Sequence, residues 1–490
     1  MRLAIYESFR LIRPVSGTAA ALILGFSFLS GGAVASRRAM PDAIGLLMAA
    51  GLPGSPLEAI KLTQHALATA EWHRGPIDPS VAELLERLGA LYEAAGLKDE
   101  AELAYLKALA ITERAFGANH PAIIGLADSL ASFYYREERN QEAEVQIKRW
   151  ISVSEMNLPS QLKNLVVGLN NLALLYAGQG KCDEAAPLFE RAFANAATVP
   201  EVSTDKFGAV AQRLAVCRAG QGRADEAETY FKRAIAIFEN ADPNSPLVAR
   251  LLRDLAICYV GQGRYQEAEK AALRSLTVFA GDAGRDRKGL FETLNTLAAI
   301  YGRQGRLDQT EHLLTQASAI AEQSFDPSDP GLAWTSYKLG QVYEAQKRYP
   351  EAIVLFNRAL EAGKKVQWPD SSWIGTATNE LASAYGESGQ ADEAERLFIV
   401  AIALGEKNLD AYQPFFAAAL YNLGVLYAQQ GRFGEAEPLF ARSLGTRLRQ
   451  YSPNHPEVED TKRALSFVQK ALHHTEQQSP PAASVYTLRH

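Results

Sequence analysis

The sequence predicts an all-α fold, an α-α superhelix (solenoid) of stacked antiparallel helical hairpins, and two observations support that prediction. One is a tyrosine that recurs every 42 residues, with a single step of 41, and that Arg218 replaces once. The recurring residues are Tyr92, Tyr134, Tyr176, Tyr259, Tyr301, Tyr343, Tyr385 and Tyr427. The other is helical period on both sides of a turn glycine, as at Gly180, which indicates two short helices per copy. A lone hairpin cannot bury its own apolar face, so the copies are expected to stack.

Two positions ahead of each tyrosine are expected to hold the stack together. The residue four before it is always leucine, and the residue three before it is always glycine or alanine. The leucines are Leu88, Leu130, Leu172, Leu214, Leu255, Leu297, Leu339, Leu381 and Leu423. A side chain as small as alanine lets two helix backbones approach, and the leucine and tyrosine fill the space between hairpins. In one copy Trp150 replaces an alanine and Glu138 replaces the turn glycine, so that hairpin is expected to be splayed or its tryptophan to fill a gap.

The same spacing predicts the organisation of the chain. Residues 36–79 are expected to form a degenerate first repeat, because Leu46 and Ala50 fall 42 residues before Leu88 and Tyr92. Nine hairpins follow over residues 80–455, and residues 456–474 have helical period without a hairpin partner, which predicts a C-terminal capping helix. The Gln, Ser and Pro content of residues 475–490 predicts a disordered tail.

Residues 1–35 do not fit the repeat. Arg10 and Arg13 precede an apolar run over residues 15–29, and small residues at Ala33 and Ala35 supply a cleavage site, as in a secretory signal peptide. The alternative is an uncleaved inner-membrane anchor, since the run is near the lower limit of a membrane span. We therefore expect export to the periplasm or the medium, with any membrane association only through residues 14–35.

Composition and motifs argue against catalysis and against nucleic acid. The formal net charge is −6 without a basic run, so nucleic acid is not an expected partner. The repeated Gly-x-Gly pairs fall at hairpin turns and precede no strand, and no metal-ligand spacing or nucleophile elbow is present, so no cofactor, metal or catalytic residue is expected. Among three cysteines, Cys217 and Cys258 occupy equivalent positions and are expected to be buried and reduced, whereas Cys182 follows a turn and is expected to be the more exposed.

These residues resemble tetratricopeptide repeats. The resemblance rests on Leu, Gly or Ala, and Tyr in the first helix, and on Ala, an aromatic residue and Ala-Leu in the second. It covers about residues 80–455, and the 42-residue spacing, with the stretches at 169–176 and 430–444, is similar to the longer variant of kinesin light chains. The resemblance implies that the first helix of each hairpin lines a concave face that binds proteins or peptides.

The inward positions that the resemblance implies supply the candidate binding residues. Amides can pair with both the C=O and the N–H of an extended peptide, which suggests Asn170, Asn171, Asn295, Asn379 and Asn422. The cationic candidates are Arg213, Arg250 and Arg253, with Asp254 as an internal partner for one of them, and the aromatic candidates are Trp334, Tyr337 and Tyr421. We expect an acidic peptide segment over the arginines and an apolar side chain near Trp334.

The function expected from these features is a non-catalytic protein–protein interaction scaffold that binds peptide segments or partner proteins in the groove. Two alternatives stay open. One is an accessory protein of an envelope or polysaccharide assembly machine that contacts a folded partner or a polymer. The other is a cytoplasmic regulatory scaffold, if residues 1–35 do not direct export.

Overall fold

The computed structural model describes residues 56–198, 204–281, 286–326, 329–365, 372–407 and 414–478. The expected signal peptide or anchor, the part of the first repeat before residue 56 and the part of the expected tail from residue 479 onward lie outside the described residues. Residues 475–478, which were expected to belong to the tail, are helical. The chain divides into two compact units, the first reaching Val278 and the second beginning at Phe279.

The described part of the first unit is entirely helical apart from its turns. Its helices are α1 (Pro56–Arg74), α2 (Pro79–Ala94), α3 (Lys98–Phe116), α4 (Ile123–Arg136), α5 (Asn140–Met156), α6 (Leu162–Gly178), α7 (Cys182–Ala196), α8 (Thr204–Gly220), α9 (Ala224–Glu239), α10 (Pro246–Gly261) and α11 (Tyr265–Gly281), the last of which ends just beyond the unit. Helix α1 packs on α2, and each second helix from α3 to α9 packs on the first helix of the next hairpin.

The second unit repeats this organisation. Its helices are α12 (Arg287–Arg303), α13 (Leu307–Ser324), α14 (Pro330–Ala345), α15 (Tyr349–Lys365), α16 (Ser372–Glu387), α17 (Ala391–Glu406), α18 (Pro414–Gln429), α19 (Phe433–Leu448) and α20 (Pro456–Gln478). Consecutive helices pack on each other through the whole series, and α20 packs on α19. The predicted all-α fold of sequentially stacked hairpins is therefore confirmed.

The hairpin turn depends on one residue in the left-handed region. Gly180 has φ +74°, and the N–H of Lys181 donates to the carbonyl of Tyr176 at 2.9 Å, which closes the end of the first helix. Glu138 adopts φ +58° at the equivalent position, and the same bond forms there at 2.9 Å between the following N–H and the carbonyl of Tyr134. The turn therefore survives the loss of its glycine.

Trp150 fills a gap, which is the second of the two outcomes expected for its hairpin. Its side chain is buried, and it lies against the next hairpin at Gly168. A Cβ at Gly168 would come within 3.3 Å of the indole carbon Cδ2. Because Gly168 of α6 has no side chain, it leaves room for the indole of Trp150 on α5.

The tyrosine ladder connects successive hairpins through carboxylates. Tyr134 donates its hydroxyl hydrogen to Oε1 of Glu102 at 2.9 Å, and Arg139 pairs with the same carboxylate while its guanidinium lies 4.5 Å from the tyrosine ring centre. The arrangement recurs for Tyr259 with Glu228 and Arg264, and for Tyr427 with Glu395 and Arg432. Arg218, which replaces the tyrosine, is buried and pairs with Glu190 of the preceding hairpin, so the connection is kept by an ion pair.

Candidate functional site

The candidate residues lie on the first helices, which run side by side within each unit. Ser129 of α4 donates to Glu86 of α2 at 2.9 Å, and Asn422 of α18 donates to Asn379 of α16 at 3.2 Å. Each of these bonds joins residues 43 apart, that is, equivalent regions of neighbouring hairpins. We call this surface the first-helix face: it is formed by α2, α4, α6, α8 and α10 in the first unit, and by α12, α14, α16 and α18 in the second.

Arg213 lies half-buried on the first-helix face of the first unit. Burial lowers the pKa of its guanidinium to about 10, so it stays charged at neutral pH. Its Nη1 donates to Oδ1 of Asn170 at 3.0 Å, and the Nδ2 of Asn170 lies 3.4 Å from Oδ1 of Asn171. Within the described residues no carboxylate lies within ion-pair distance of this guanidinium. The structure thus brings together three of the predicted residues in a cluster with a net positive charge.

The other two candidate arginines lie on α10 and differ in environment. Arg253 is buried, and its Nη2 lies 2.9 Å from Oδ1 of Asp254. The expectation that Asp254 pairs with one of the arginines is therefore confirmed. Arg250 is half-buried on the same helix. The charge of Arg253 is neutralised internally, so Arg213, whose hydrogen-bond partner is a neutral amide, is better placed than Arg253 to attract an anion.

Acidic side chains occupy the opposite end of the same face. Glu93 of α2 pairs with Arg136 of α4, and Glu86 accepts the hydrogen bond from Ser129. Asp128 is half-buried beside them, and burial together with the charge of Glu86 raises the pKa of its carboxyl to about 6. The first unit therefore carries the carboxylates of Glu86 and Asp128 on α2 and α4, and the guanidinium of Arg213 on α8.

Asn295 of the second unit points into the stack of helices. Its side chain is 7% exposed, its Nδ2 donates to the carbonyl of Phe291 at 3.1 Å, and its Oδ1 accepts from the hydroxyl of Thr335 at 3.3 Å. Both ends of the amide are therefore engaged within the unit. Its placement differs from that of Asn170, which is half-buried on the face.

Two further asparagines hydrogen-bond each other across α16 and α18. Asn379 is 6% exposed and accepts from Asn422, which is half-buried and also lies 3.3 Å from the hydroxyl of Ser383. Of the five asparagine candidates, Asn170, Asn171 and Asn422 therefore keep part of their side chain accessible.

The aromatic candidates of α14 flank a lysine. Trp334 is half-buried, whereas Tyr337 is buried and accepts a hydrogen bond from Gln341 at 2.9 Å. The Nζ of Lys338 lies 5.6 Å from the ring centre of Trp334 and 5.3 Å from that of Tyr337. Burial lowers the pKa of Lys338 to about 8, and the half-buried side chain lies between the two aromatic rings.

A carboxyl pair next to Lys338 was not among the predicted residues. Glu344 of α14 and Glu380 of α16 interact electrostatically: burial raises the pKa of both carboxyls, and the charge of Glu380 raises that of Glu344 further. The charge of Lys338 acts against this rise for Glu380. Glu344 directly follows the recurring Tyr343. The position after the tyrosine is one of the inward positions that the resemblance implies, so Glu344 could have been identified from the sequence.

Tyr421 lies where the last hairpin meets α20. Its half-buried ring packs against Phe440 at a centroid distance of 5.5 Å, and the guanidinium of Arg447 lies 4.9 Å from its centre. Arg447 is buried and donates to the carbonyl of Glu457 and the hydroxyl of Thr461 in α20. Much of the Tyr421 ring therefore serves packing.

The described part of the chain shows neither a metal-binding cluster nor a membrane-spanning helix. No group of three or more His, Cys, Asp and Glu side chains in this part of the chain is arranged to hold a metal ion. No helix of this part combines the length and the apolar character needed to cross a membrane.

Comparison with protein families identifies the repeat. One family model, described as tetratricopeptide repeat, matches residues 209–280, 289–365, 373–449 and 415–477, which together exceed half of the chain. A second model of the same description matches residues 81–122 and 168–194. No curated protein matches the sequence significantly.

Solved structures that resemble this chain include proteins described as having tetratricopeptide repeats. A signal transduction ATPase with numerous domains from Pyrococcus horikoshii, which has a tetratricopeptide repeat sensor, is 16% identical with a TM-score of 0.51, over 78% of this chain and 55% of that one. BtubC of P. vanneervenii is 22% identical with a TM-score of 0.41, over 47% of this chain and 94% of that one. A kinesin light chain-like protein of Podosopora anserina with nearly identical TPR-like repeats is 23% identical with a TM-score of 0.38, over 42% of this chain and 99% of that one. The resemblance to tetratricopeptide repeats that the sequence shows is confirmed by the two family models.

Proposed function

This chain belongs to the tetratricopeptide repeat family, and we propose that it is a non-catalytic scaffold whose first unit binds a carboxylate-bearing peptide segment of a partner protein. Stacked repeats of this kind create extended binding surfaces. The observation that supports an acidic ligand is Arg213, a half-buried guanidinium on the first-helix face that donates to the neutral amide of Asn170. A desolvated cation of this kind gains more from a carboxylate than an exposed one does.

The residues around Arg213 suit a peptide as well as an isolated anion. A guanidinium can hold a carboxylate through two parallel N–H···O bonds. Asn170 and Asn171 supply amide donors and acceptors that can pair with peptide backbone, and Arg250 adds a second positive charge from α10. We propose these four residues as the peptide contacts of the first unit, with Arg253 in a supporting role because it is paired with Asp254.

On the second unit we propose a separate contact point centred on Trp334. The half-buried indole offers an apolar surface, and Lys338 beside it offers a cation. Asn422 is a candidate for backbone hydrogen bonds, and Tyr421 for an additional aromatic contact. Asn295, Asn379 and Tyr337 would act by positioning neighbouring helices, since their side chains are buried.

Binding of paired peptides tests the proposal for the first unit. An array of short extended peptides rich in Asp and Glu is compared with the same peptides carrying Asn and Gln, and the tightest binders are measured by fluorescence anisotropy. We expect the acidic peptides to bind more tightly, and the affinity to fall with added salt. In the Arg213→Gln variant we expect an affinity loss of about tenfold, or about 1.4 kcal/mol, and a weaker dependence on salt.

Arg114→Gln is the matched control, because it removes the same charge from an exposed position on the second helix α3. Equal binding of acidic and amide peptides, or equal losses in the two variants, would contradict the proposal. Binding of an acidic polysaccharide without binding of any peptide would instead favour the accessory role in polymer assembly.

Export is a separate proposal that rests on residues 1–35 alone. The charged segment with Arg10 and Arg13, the apolar run and the small residues at Ala33 and Ala35 support a cleaved signal peptide. N-terminal sequencing of the mature protein is expected to begin at Ser36. A start at Met1 in a membrane fraction would favour the anchor, and a start at Met1 in the cytoplasm would favour the regulatory scaffold.

A further inference from the structure

Two of the three cysteines meet where the third hairpin, formed by α6 and α7, packs against the fourth hairpin, formed by α8 and α9. Cys182 is the first residue of α7, and Cys217 lies in the last half of α8. Their Sγ atoms are 3.1 Å apart. Cys182 is partly exposed, whereas Cys217 is 2% exposed. Cys217 and Cys258 occupy equivalent positions in the sequence, but the sulfur that Cys217 contacts in the structure is that of Cys182 in the preceding hairpin.

The next junction of the same unit has the same geometry with a different residue. Ala224 begins α9 as Cys182 begins α7, and Cys258 lies in α10 as Cys217 lies in α8. There the Cys258 Sγ lies 3.5 Å from the carbonyl oxygen of Ala224. In both junctions, the stacking of the hairpins thus places the start of one hairpin's second helix beside the end of the next hairpin's first helix. Within the described residues, the first of these two junctions has a thiol on both sides.

The two thiols differ in acidity and in accessibility, as expected for a pair in which one sulfur reacts with an oxidant and the other then attacks the first. The Cys217 thiol can donate a hydrogen bond to the Cys182 thiolate, which lowers the pKa of Cys182, although burial and the charges of Asp183 and Glu184 oppose this. The start of a helix also favours a thiolate. Cys182 is the sulfur that an oxidant can reach, and Cys217 lies behind it, in contact with it and shielded from solvent.

We propose that Cys182 and Cys217 form a thiol–disulfide site at which a disulfide-bearing oxidant crosslinks the third hairpin to the fourth. The Cys182 thiolate attacks one sulfur of the oxidant, which forms a mixed disulfide and releases one thiolate. The Cys217 thiol then loses its proton and attacks the Cys182 sulfur, which forms the internal disulfide and releases the second thiolate. Two protein thiols are oxidised by two electrons, and the oxidant is reduced to two thiols.

The geometry requires only a small movement for this bond. A disulfide has an S–S distance of about 2.05 Å, so the two sulfurs must approach by about 1 Å from their present separation. Rotation about the Cα–Cβ bond of the partly exposed Cys182 can supply such a shift. The bond would join α7 directly to α8, the helix that carries Arg213 one turn before Cys217.

Glutathione disulfide is the probe that tests this site on the full chain. The reduced, folded protein is incubated with it, then denatured and alkylated, and the peptides are mapped by mass spectrometry. We expect the number of free thiols to fall from three to one, the protein mass to fall by two hydrogen atoms, and a linked peptide pair to contain Cys182 and Cys217, with Cys258 alkylated. Cys258→Ala should leave this crosslink unchanged, and Cys182→Ser should abolish it while circular dichroism stays native.

Three outcomes would overturn the proposal. One is a lasting mixed disulfide of glutathione on Cys182 with Cys217 still free to be alkylated. Another is the absence of any reaction at Cys182. The third is a crosslink that lowers the melting temperature of the protein, because a bond formed between native neighbours is expected to raise it, by about 5 °C.

Discussion

Replacing Glu228 with glutamine removes the carboxylate at which three side chains of two neighbouring hairpins meet. Its oxygens accept from the hydroxyl of Tyr259 at 3.1 Å, from Nη1 of Arg264 at 2.5 Å and from Nζ of Lys232 at 2.7 Å. The side chain is 14% exposed. Burial alone would raise the pKa of this carboxyl, but the hydrogen bonds from Arg264, Lys232 and Tyr259 outweigh it and lower the pKa to about 2.

The magnitude follows from the pKa. A fall from the ordinary value of 4.5 to about 2 corresponds to about 3 kcal/mol of preferential stabilisation of the folded state at neutral pH. Because the folded pKa is depressed, this contribution is present above pH 4.5 and is lost as the pH falls towards 2. We therefore expect Glu228→Gln to lower the free energy of unfolding by about 3 kcal/mol at pH 7, and by progressively less below pH 4.5.

Urea unfolding followed by far-UV circular dichroism at pH 7, 4 and 3 measures this difference. Glu71→Gln is the matched control, since Glu71 is exposed on α1 and should change stability by less than about 0.5 kcal/mol at each pH. A loss for Glu228→Gln that stays constant with pH would refute the electrostatic reasoning and indicate a packing effect. A loss as small as that of the control would refute the connection itself.

Two further predictions concern packing and a buried charge. Gly340→Ala is expected to destabilise the second unit by about 1–2 kcal/mol, because its Cβ would meet Cε1 of the fully buried Phe356 at 2.7 Å. Gly445→Ala, whose Cβ would meet nothing within 4 Å, should stabilise it by about 0.5–1 kcal/mol, and equal melting temperatures for the two variants would contradict this. Asp128→Asn is expected to raise the free energy of unfolding at pH 7 but not at pH 4. Burial raises the pKa of the Asp128 carboxyl to about 6, so the folded protein loses stability as the pH rises through that value. Urea titrations at both pH values check this prediction.

The hairpin architecture was predictable because the residues that form it act locally or repeat. Leu172, Ala173 and Tyr176 are spaced for one face of a helix, and their equivalents recur in copy after copy. The leucines at this position are buried in every hairpin. Such a pattern determines helix, turn and stacking together, since each copy can bury its apolar face only against the next.

The candidate site was predictable only in part, because exposure of a polar side chain depends on what the neighbouring hairpin places beside it. Asn170 and Asn295 each lie six residues before the recurring tyrosine of their hairpin. Even so, Asn170 contacts Arg213 on the first-helix face, whereas Asn295 is turned inward towards Thr335. The ion pair between Arg253 and Asp254 could be predicted from the sequence because the two residues are adjacent in the chain. Contacts between residues some 40 positions apart carry no such local signal.

The repeat, its period and the helices that form the first-helix face were predictable from the sequence, because helical periodicity and burial are properties of short segments. Which charges are neutralised and which thiols meet depends on how neighbouring hairpins pack. Arg213 is left with a neutral partner by the side chain that α6 presents to it, and Cys182 meets Cys217 because the start of one hairpin's second helix packs on the next hairpin's first helix. Distances across a junction of hairpins are set by packing, and packing is where residues distant in sequence become neighbours.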